Sequence, residues 1–194
     1  VPNLNIMAPK DFKELEQMLE FAVNLKKPVV IRYPRGGEGK NKFEKHDEIK
    51  LGKAEILKQG KDISIIAIGK MVDKAIQIAN DLKEDNIDIE VINARFLKPL
   101  DNETIGNSIQ KTKRVITIED NEINGGLATS IKELVLDKNI ENVELKTFAY
   151  PEEFIKHGTV EELEKIYHLD VEYIEKEIKS MLKDDTFISS KSEL

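Results

Sequence analysis

The sequence predicts an α/β fold: a three-layer α/β/α C-terminal domain on a mostly parallel mixed sheet, preceded by a strand–helix–strand remnant of another α/β domain. Three observations carry this. Short runs rich in Val and Ile alternate with amphipathic stretches of helical length, the pattern of βαβ units. A polar, glycine-rich stretch at residues 36–47 separates the first part of the chain from the rest. The part before it holds a single strand–helix–strand unit, too few layers to form a domain alone.

Taken in order, residues 3–7 read as a strand, and Asp11 with Glu14 reads as a capping box opening a helix. The helix's apolar stripe is Phe12, Leu15, Met18, Leu19, Ala22 and Val23. A buried strand is expected at 28–33. Residues 36–47 have linker composition and set a domain boundary. The layout expected is therefore 1–37, a linker at 38–47, a domain at 48–184 and a polar tail at 185–194. A strand at 51–58 turns at Gln59-Gly60-Lys61 into Ile63–Ile68, so short a connection that the two must run antiparallel, paired or not. Helix 71–84, strand 87–92 and a helix over 102–112 capped by Asp101 follow. Strand 114–119, helix 126–138 and strand 142–148 complete the sheet. Thr159 with Glu162 forms a second capping box before helix 160–167. Asp170 caps a last helix whose inward stripe is Val171, Ile174, Ile178 and Met181.

Forty per cent hydrophobic and 35% charged residues describe a globular chain, neither disordered nor fibrous. No apolar run nears the roughly 20 residues of a membrane span. With no cysteine, disulfides and thiolate metal sites are excluded, which fits a reducing cytoplasm. The net charge of −7 disfavours nucleic acid and anionic membranes as partners. Residues 1–50 nonetheless carry ten Lys/Arg against eight Asp/Glu, and the remainder twenty against twenty-nine. The basic excess lies where an anionic ligand is expected. The chain opens on Val rather than Met and begins with no element before its first strand, so a trimmed or excised piece is expected.

Arg32-Tyr33-Pro34-Arg35-Gly36 follows the apolar run Pro28–Ile31, putting two guanidinium groups at the carboxyl end of a strand. Ligands of open α/β sheets bind there, and a guanidinium matches a phosphate bidentately. Phosphate clamp and structural ion pair are both open. Arg35, beside two glycines, is the better ligand candidate, and Arg32, still in strand register, the better structural one. Gly125-Gly126 precedes a helix, but no GxGxxG or P-loop lysine accompanies it, and tight helix–strand packing explains the glycines better. Glu119, Asp120 and Glu122 suit a helix cap and a solvated loop better than a cation. His46, His157 and His168 show no zinc-binding spacing. His157 faces a cleft or opens a helix, and His168 suits a helix C-terminus. Arg95 reaches a ligand or a neighbouring domain, with a salt bridge to the acidic second half as the default. No nucleophile elbow, Walker motif or complete catalytic set is present.

In order along the chain stand Ile6-Met7-Ala8-Pro9-Lys10-Asp11, Arg32-Tyr33-Pro34-Arg35-Gly36, Asn93–Asp101, Thr117–Asn121 with Gly125-Gly126, and His157-Gly158-Thr159. Together these blocks resemble the 1-deoxy-D-xylulose-5-phosphate synthases of the transketolase superfamily. The resemblance implies a transferase that uses thiamine diphosphate and Mg2+ to condense pyruvate with D-glyceraldehyde 3-phosphate. The products are 1-deoxy-D-xylulose 5-phosphate and CO2, feeding isoprenoid, thiamine and pyridoxal synthesis. It covers only the end of the pyrimidine-binding domain and the C-terminal domain of such an enzyme. Cofactor, metal and catalytic groups are then expected on the missing N-terminal domains, in a cytoplasmic homodimer. By resemblance Arg35 binds the phosphate of glyceraldehyde 3-phosphate, with Arg32 as a second candidate, and the chain alone is expected to be inactive. Thr147–Glu152 departs from the family's usual Gly-Leu-Pro-Asp. The competing readings are the matching piece of a transketolase or of a 2-oxo-acid dehydrogenase β subunit, or a free-standing α/β binding or dimerisation module.

Overall fold

The computed structural model describes residues 1–34 and 36–189, with side chains through Lys183. Its elements run β1 (Asn5–Met7), α1 (Phe12–Leu25), β2 (Val29–Ile31), β3 (Glu55–Lys58), β4 (Ile63–Ala67), α2 (Met71–Asp81) and β5 (Ile89–Asn93). Then come β6 (Phe96–Lys98), α3 (Asn102–Thr112), β7 (Arg114–Glu122), α4 (Leu127–Asp137), β8 (Glu144–Tyr150), α5 (Val160–Ile166) and α6 (Val171–Ser189). The α6 helix thus runs five residues into the expected polar tail, and residues 190–194 lie outside the described residues.

Five strands form the main sheet in the order β3-β5-β4-β7-β8. β5, β4, β7 and β8 are mutually parallel, and β3 lies antiparallel on β5. The tight connection at 59–61 therefore reverses the chain as expected, but β5 inserts between the two strands it joins. Strand alternation divides the core. Ile63, Ile65 and Ala67 of β4 pack with α2 and α6, while Ile66 and Ile68 pack with α3 and α4. Burial on both faces accounts for the near-continuous apolar runs of β4 and β5. The one polar side chain inside β4, Ser64, is satisfied by the hydroxyls of Ser108 at 2.6 Å and Thr112 at 2.8 Å on α3. Three helix starts behave as their sequences require. Asp101 accepts from the Thr104 N–H, Thr159 and Glu162 form a complete capping box, and Asp170 accepts from the Tyr173 N–H.

The inward stripe of α6 is buried at Ile174, Ile178 and Met181, but Glu175 beside it leans toward Asp81 at the end of α2. Burial, and next the Asp81 charge, raise the Glu175 carboxyl above its usual range. A group whose folded pKa is raised adds stability that is present at low pH and lost as pH rises through that pKa. Ionised Glu175 is therefore a net cost to the fold. Glu175→Gln is expected to stabilise the chain by roughly 0.5 kcal/mol at pH 7, the size left to a solvent-screened charge. Thermal melts at pH 7 and at about pH 4 check this: the gain must vanish at the lower pH.

A second sheet, in the order β2-β1-β6, joins the first 34 residues to the rest. β1 pairs in parallel with β2 and antiparallel with β6, a short strand that no apolar run of strand length announces. The chain leaves β5, turns at Arg95 with φ of 55°, and enters this small sheet at Phe96. Met7, Met18, Ile49 and Phe96 form its core, with Phe21 edge-on to Phe96. The stripe expected on α1 is split. Met18 is buried and Leu15 and Ala22 are half-buried, whereas Phe12, Leu19 and Val23 face outward, Val23 being 79% exposed. Residues 36–54 carry no helix or strand, yet Phe43 packs on the main core and Ile49 is buried.

Candidate functional site

β5 lies on one side of β4 and β7 on the other, so strand order reverses at β4 and β7. Their carboxyl ends frame the crevice where open α/β sheets hold ligands. The carboxyl end of β2 projects into the same place. Arg32 donates its backbone N–H to the Met7 carbonyl at 2.9 Å and a guanidinium N–H to the Asp120 carbonyl, also at 2.9 Å. Arg32 is therefore a tether between the sheets, the structural role its strand register suggested. Lys70, following β4, pairs with Asp120 at 3.1 Å and Glu164 at 3.7 Å. Lys74 reaches Glu164 at 2.7 Å and the Leu169 carbonyl at 2.8 Å. Burial, then Asp120 and Glu164, push the Tyr150 hydroxyl at the same edge up to about 12. Two small cavities, about 50 and 40 Å³, lie against Tyr33 and Pro34, and Lys70 lines both.

Arg35 lies outside the described residues. Its neighbours Pro34, Gly36 and Gly37 are exposed, and a Cβ at either glycine would meet nothing within 4 Å.

Glu119 is a helix cap rather than part of a loop. It lies within β7, 1% exposed, and accepts from the N–H groups of Leu127 at 2.9 Å and Ala128 at 3.0 Å. Gly126, the N-cap residue of α4, supplies no side chain, so the carboxylate satisfies two of the helix's orphan donors. Burial raises the Glu119 carboxyl above its usual range, against the pull of those N–H groups. A Cβ on Gly126 would sit 2.2 Å from a Glu119 oxygen, so this glycine serves close helix–strand approach, as its setting suggested.

Arg95 is 2% exposed and turns inward. Its guanidinium binds Glu14 at 2.7 Å and Glu55 at 3.1 Å, so one of its two carboxylates lies on α1, outside the acidic second half expected to pair with it. Lys10 binds the same two carboxylates at 3.1 and 2.9 Å, and the Asn93 amide donates to both. Glu14 consequently bonds the Lys10 N–H at 2.7 Å instead of completing a capping box with Asp11. Asp11 still accepts from the Glu14 N–H. Sequence reasoning missed Lys10, Glu14, Glu55 and Asn93, because a lone Glu in a first turn reads as a cap.

The histidines stand apart. His46 meets Asp11 at 2.6 Å, His157 is exposed before the Thr159 cap, and His168 stacks on Tyr173 with ring centres 4.1 Å apart.

Comparison with known proteins agrees with this architecture. Residues 52–174 match the family described as transketolase, C-terminal domain. The 1-deoxy-D-xylulose-5-phosphate synthase of Clostridium tetani is 43% identical over 94% of this chain and 29% of its own length. That of Dictyoglomus turgidum is 44% identical over 95% and 30%. This chain thus spans about three-tenths of these relatives. A solved structure described as a split gene transketolase, inactive beta4 tetramer, superposes with a TM-score of 0.86 at 26% identity. That match covers 94% of this chain and 59% of the other. On the family match over more than half its residues, the chain belongs to the transketolase C-terminal domain family.

Proposed function

We propose that this chain is the C-terminal part of a 1-deoxy-D-xylulose-5-phosphate synthase. The whole enzyme would condense pyruvate with D-glyceraldehyde 3-phosphate, releasing CO2, in a cytoplasmic homodimer. The observation that carries the reading is the identity of 43–44% across nearly all of this chain with synthases that extend far beyond it. Two surfaces agree with further protein lying against the first unit: the outward apolar face of α1, and the edge of β2 that pairs with no strand among the described residues. The layout proposed is the end of a pyrimidine-binding domain at 1–37, a connecting stretch at 38–47 and the C-terminal domain from 48.

Thiamine diphosphate would supply the means of cleaving pyruvate, with Mg2+ holding its diphosphate. The described residues do not fit either. The N–H groups at the start of α4, the only helix with a Gly-Gly lead-in, are already taken by Glu119. No group of three or more His, Asp or Glu among the described residues is arranged for a metal. Our reading leaves both to parts of the enzyme outside this chain.

What this chain contributes is orientation of the acceptor. Arg35 would hold the aldehyde substrate by its phosphate, turning a chance encounter into a fixed approach. Arg32, tied to Met7 and Asp120, anchors the strand end from which that turn departs. A charge-assisted contact is worth about 1.5–3 kcal/mol. Arg35→Ala in the complete enzyme is therefore expected to raise the KM for D-glyceraldehyde 3-phosphate about 10- to 100-fold. The KM for pyruvate should stay in place. Steady-state kinetics varying each substrate in turn decides it, and an unchanged ratio of the two KM values refutes the role.

A further inference from the structure

Asn124-Gly125, in the loop from β7 to α4, is the sole Asn-Gly pair in the sequence. Both residues are exposed, and a Cβ on Gly125 would meet nothing within 4 Å. The residues on either side are fixed. Ile123 donates its N–H to the Tyr150 carbonyl at 2.8 Å, and Gly126 is packed on Glu119. Two contacts hold the pair itself. The Gly125 N–H donates to the Thr129 hydroxyl in the first turn of α4 at 2.9 Å. The Asn124 side-chain amide donates to Glu152, in the segment after β8, at 2.7 Å.

An asparagine followed by glycine carries its own reagent, because the glycine nitrogen has no neighbouring side chain to shield it. Once that nitrogen has lost its proton to water, it can attack the asparagine side-chain carbonyl carbon and close a five-membered imide. The carbon–nitrogen bond to the side-chain amide breaks, and the departing nitrogen takes up a proton and leaves as ammonia. Water then opens the imide at one of its carbonyls, giving aspartate or its β-linked isomer. No oxidant, reductant or cofactor enters. In the folded chain both reacting groups are engaged, the Gly125 nitrogen with Thr129 and the Asn124 amide with Glu152. Ring closure must break both bonds, so it runs through local opening of the loop.

We propose that Asn124 is a site of spontaneous deamidation, held in check by Thr129 and Glu152. The inference does not depend on the reaction proposed above. Its products change the rim of the crevice at the carboxyl ends of β7 and β8. Either one replaces a donor to Glu152 with a carboxylate, in a stretch that already holds Glu119, Asp120 and Glu122. The tie between the two loops then becomes a repulsion. The β-linked product also adds a backbone atom between Ile123 and Gly126, whose positions are fixed. The change is one-way, because the ammonia is lost to solvent.

The test follows Asn124 in the complete protein during storage at mildly alkaline pH, by mass spectrometry of its peptides. Thr129→Val removes the acceptor at nearly constant shape. It is expected to quicken conversion roughly two- to tenfold, the worth of one hydrogen bond. Glu152→Ala should act in the same direction, and Thr129→Ser should keep the wild-type rate. The protein in urea, with neither contact, should convert fastest. In Thr129→Val, amide exchange should quicken at Gly125 and stay unchanged at the buried Ile131 of α4, which separates loss of the contact from loss of the fold. Wild type converting as fast as the protein in urea shows that nothing holds the site in check, and overturns the inference. So does an Asn124 that stays intact in urea, or conversion at the wild-type rate in both Thr129→Val and Glu152→Ala.

Discussion

Glu14→Ala should cost this chain roughly 3–5 kcal/mol, the range found when one partner of a buried ion pair is deleted. Glu14 is fully buried and bonds Lys10, Asn93 and Arg95 at once. Removing it leaves two cations in a water-poor site, with Glu55 as the remaining carboxylate paired to both. The Coulomb gain of such pairs does little more than offset their desolvation, so an intact cluster adds modestly to stability. A broken one is expensive, because the desolvation remains and the compensation is gone. Arg95 adds its own demand: its φ of 55° is unfavourable for a side chain with a Cβ, and the Glu14 and Glu55 bonds hold it there. Urea titration with unchanged slope measures the loss. Glu14→Gln keeps the shape and should fall between wild type and Ala. A loss under about 1 kcal/mol would show that water reaches the cluster and that the burial argument fails.

Gly126→Ala should cost nearly as much, by another route. The new methyl group would overlap the Glu119 carboxylate at 2.2 Å, and Glu119 would have to leave. Its departure strands the Leu127 and Ala128 N–H groups inside the protein, at about 1–3 kcal/mol. Strain from overpacking adds a further 1–3 kcal/mol. Glu119→Ala incurs only the first of these. In the double variant the clash has no partner, so the two losses must combine to less than their sum. Equal stability of wild type and Gly126→Ala, or strict additivity, would mean that Glu119 does not cap α4. Burial raises the Glu119 carboxyl against the pull of those N–H groups, so the penalty should rest on the lost acceptor geometry.

Local signals are legible in the sequence because their causes are local. The 59–61 connection is too short to do anything but reverse the chain. The Thr159–Glu162 box and the Asp101 and Asp170 caps need only a few consecutive residues, and each is present. The α6 stripe at Ile174, Ile178 and Met181 is decided by helical periodicity alone. The α1 stripe failed where α6 succeeded, because α1 divides its apolar residues between a buried side and an outward one. Periodicity reports that a face is apolar and is silent on how many faces are covered.

The Val- and Ile-rich runs by themselves determined an α/β sandwich, since segments of that length and period can bury their apolar surface only as layered strands and helices. Sequence also singled out the Arg-Tyr-Pro-Arg-Gly turn, because a guanidinium at a strand's carboxyl end carries its meaning in its chemistry. Only the tertiary structure decided that β6 exists, that Arg95 faces Glu14 across 81 positions of chain, and that Asp73 grips Lys40 and Asn41. Each of these depends on backbone that folding brings together from distant positions. A carboxylate's partner is chosen by distance and desolvation in space, and neither can be read along a single strand of letters.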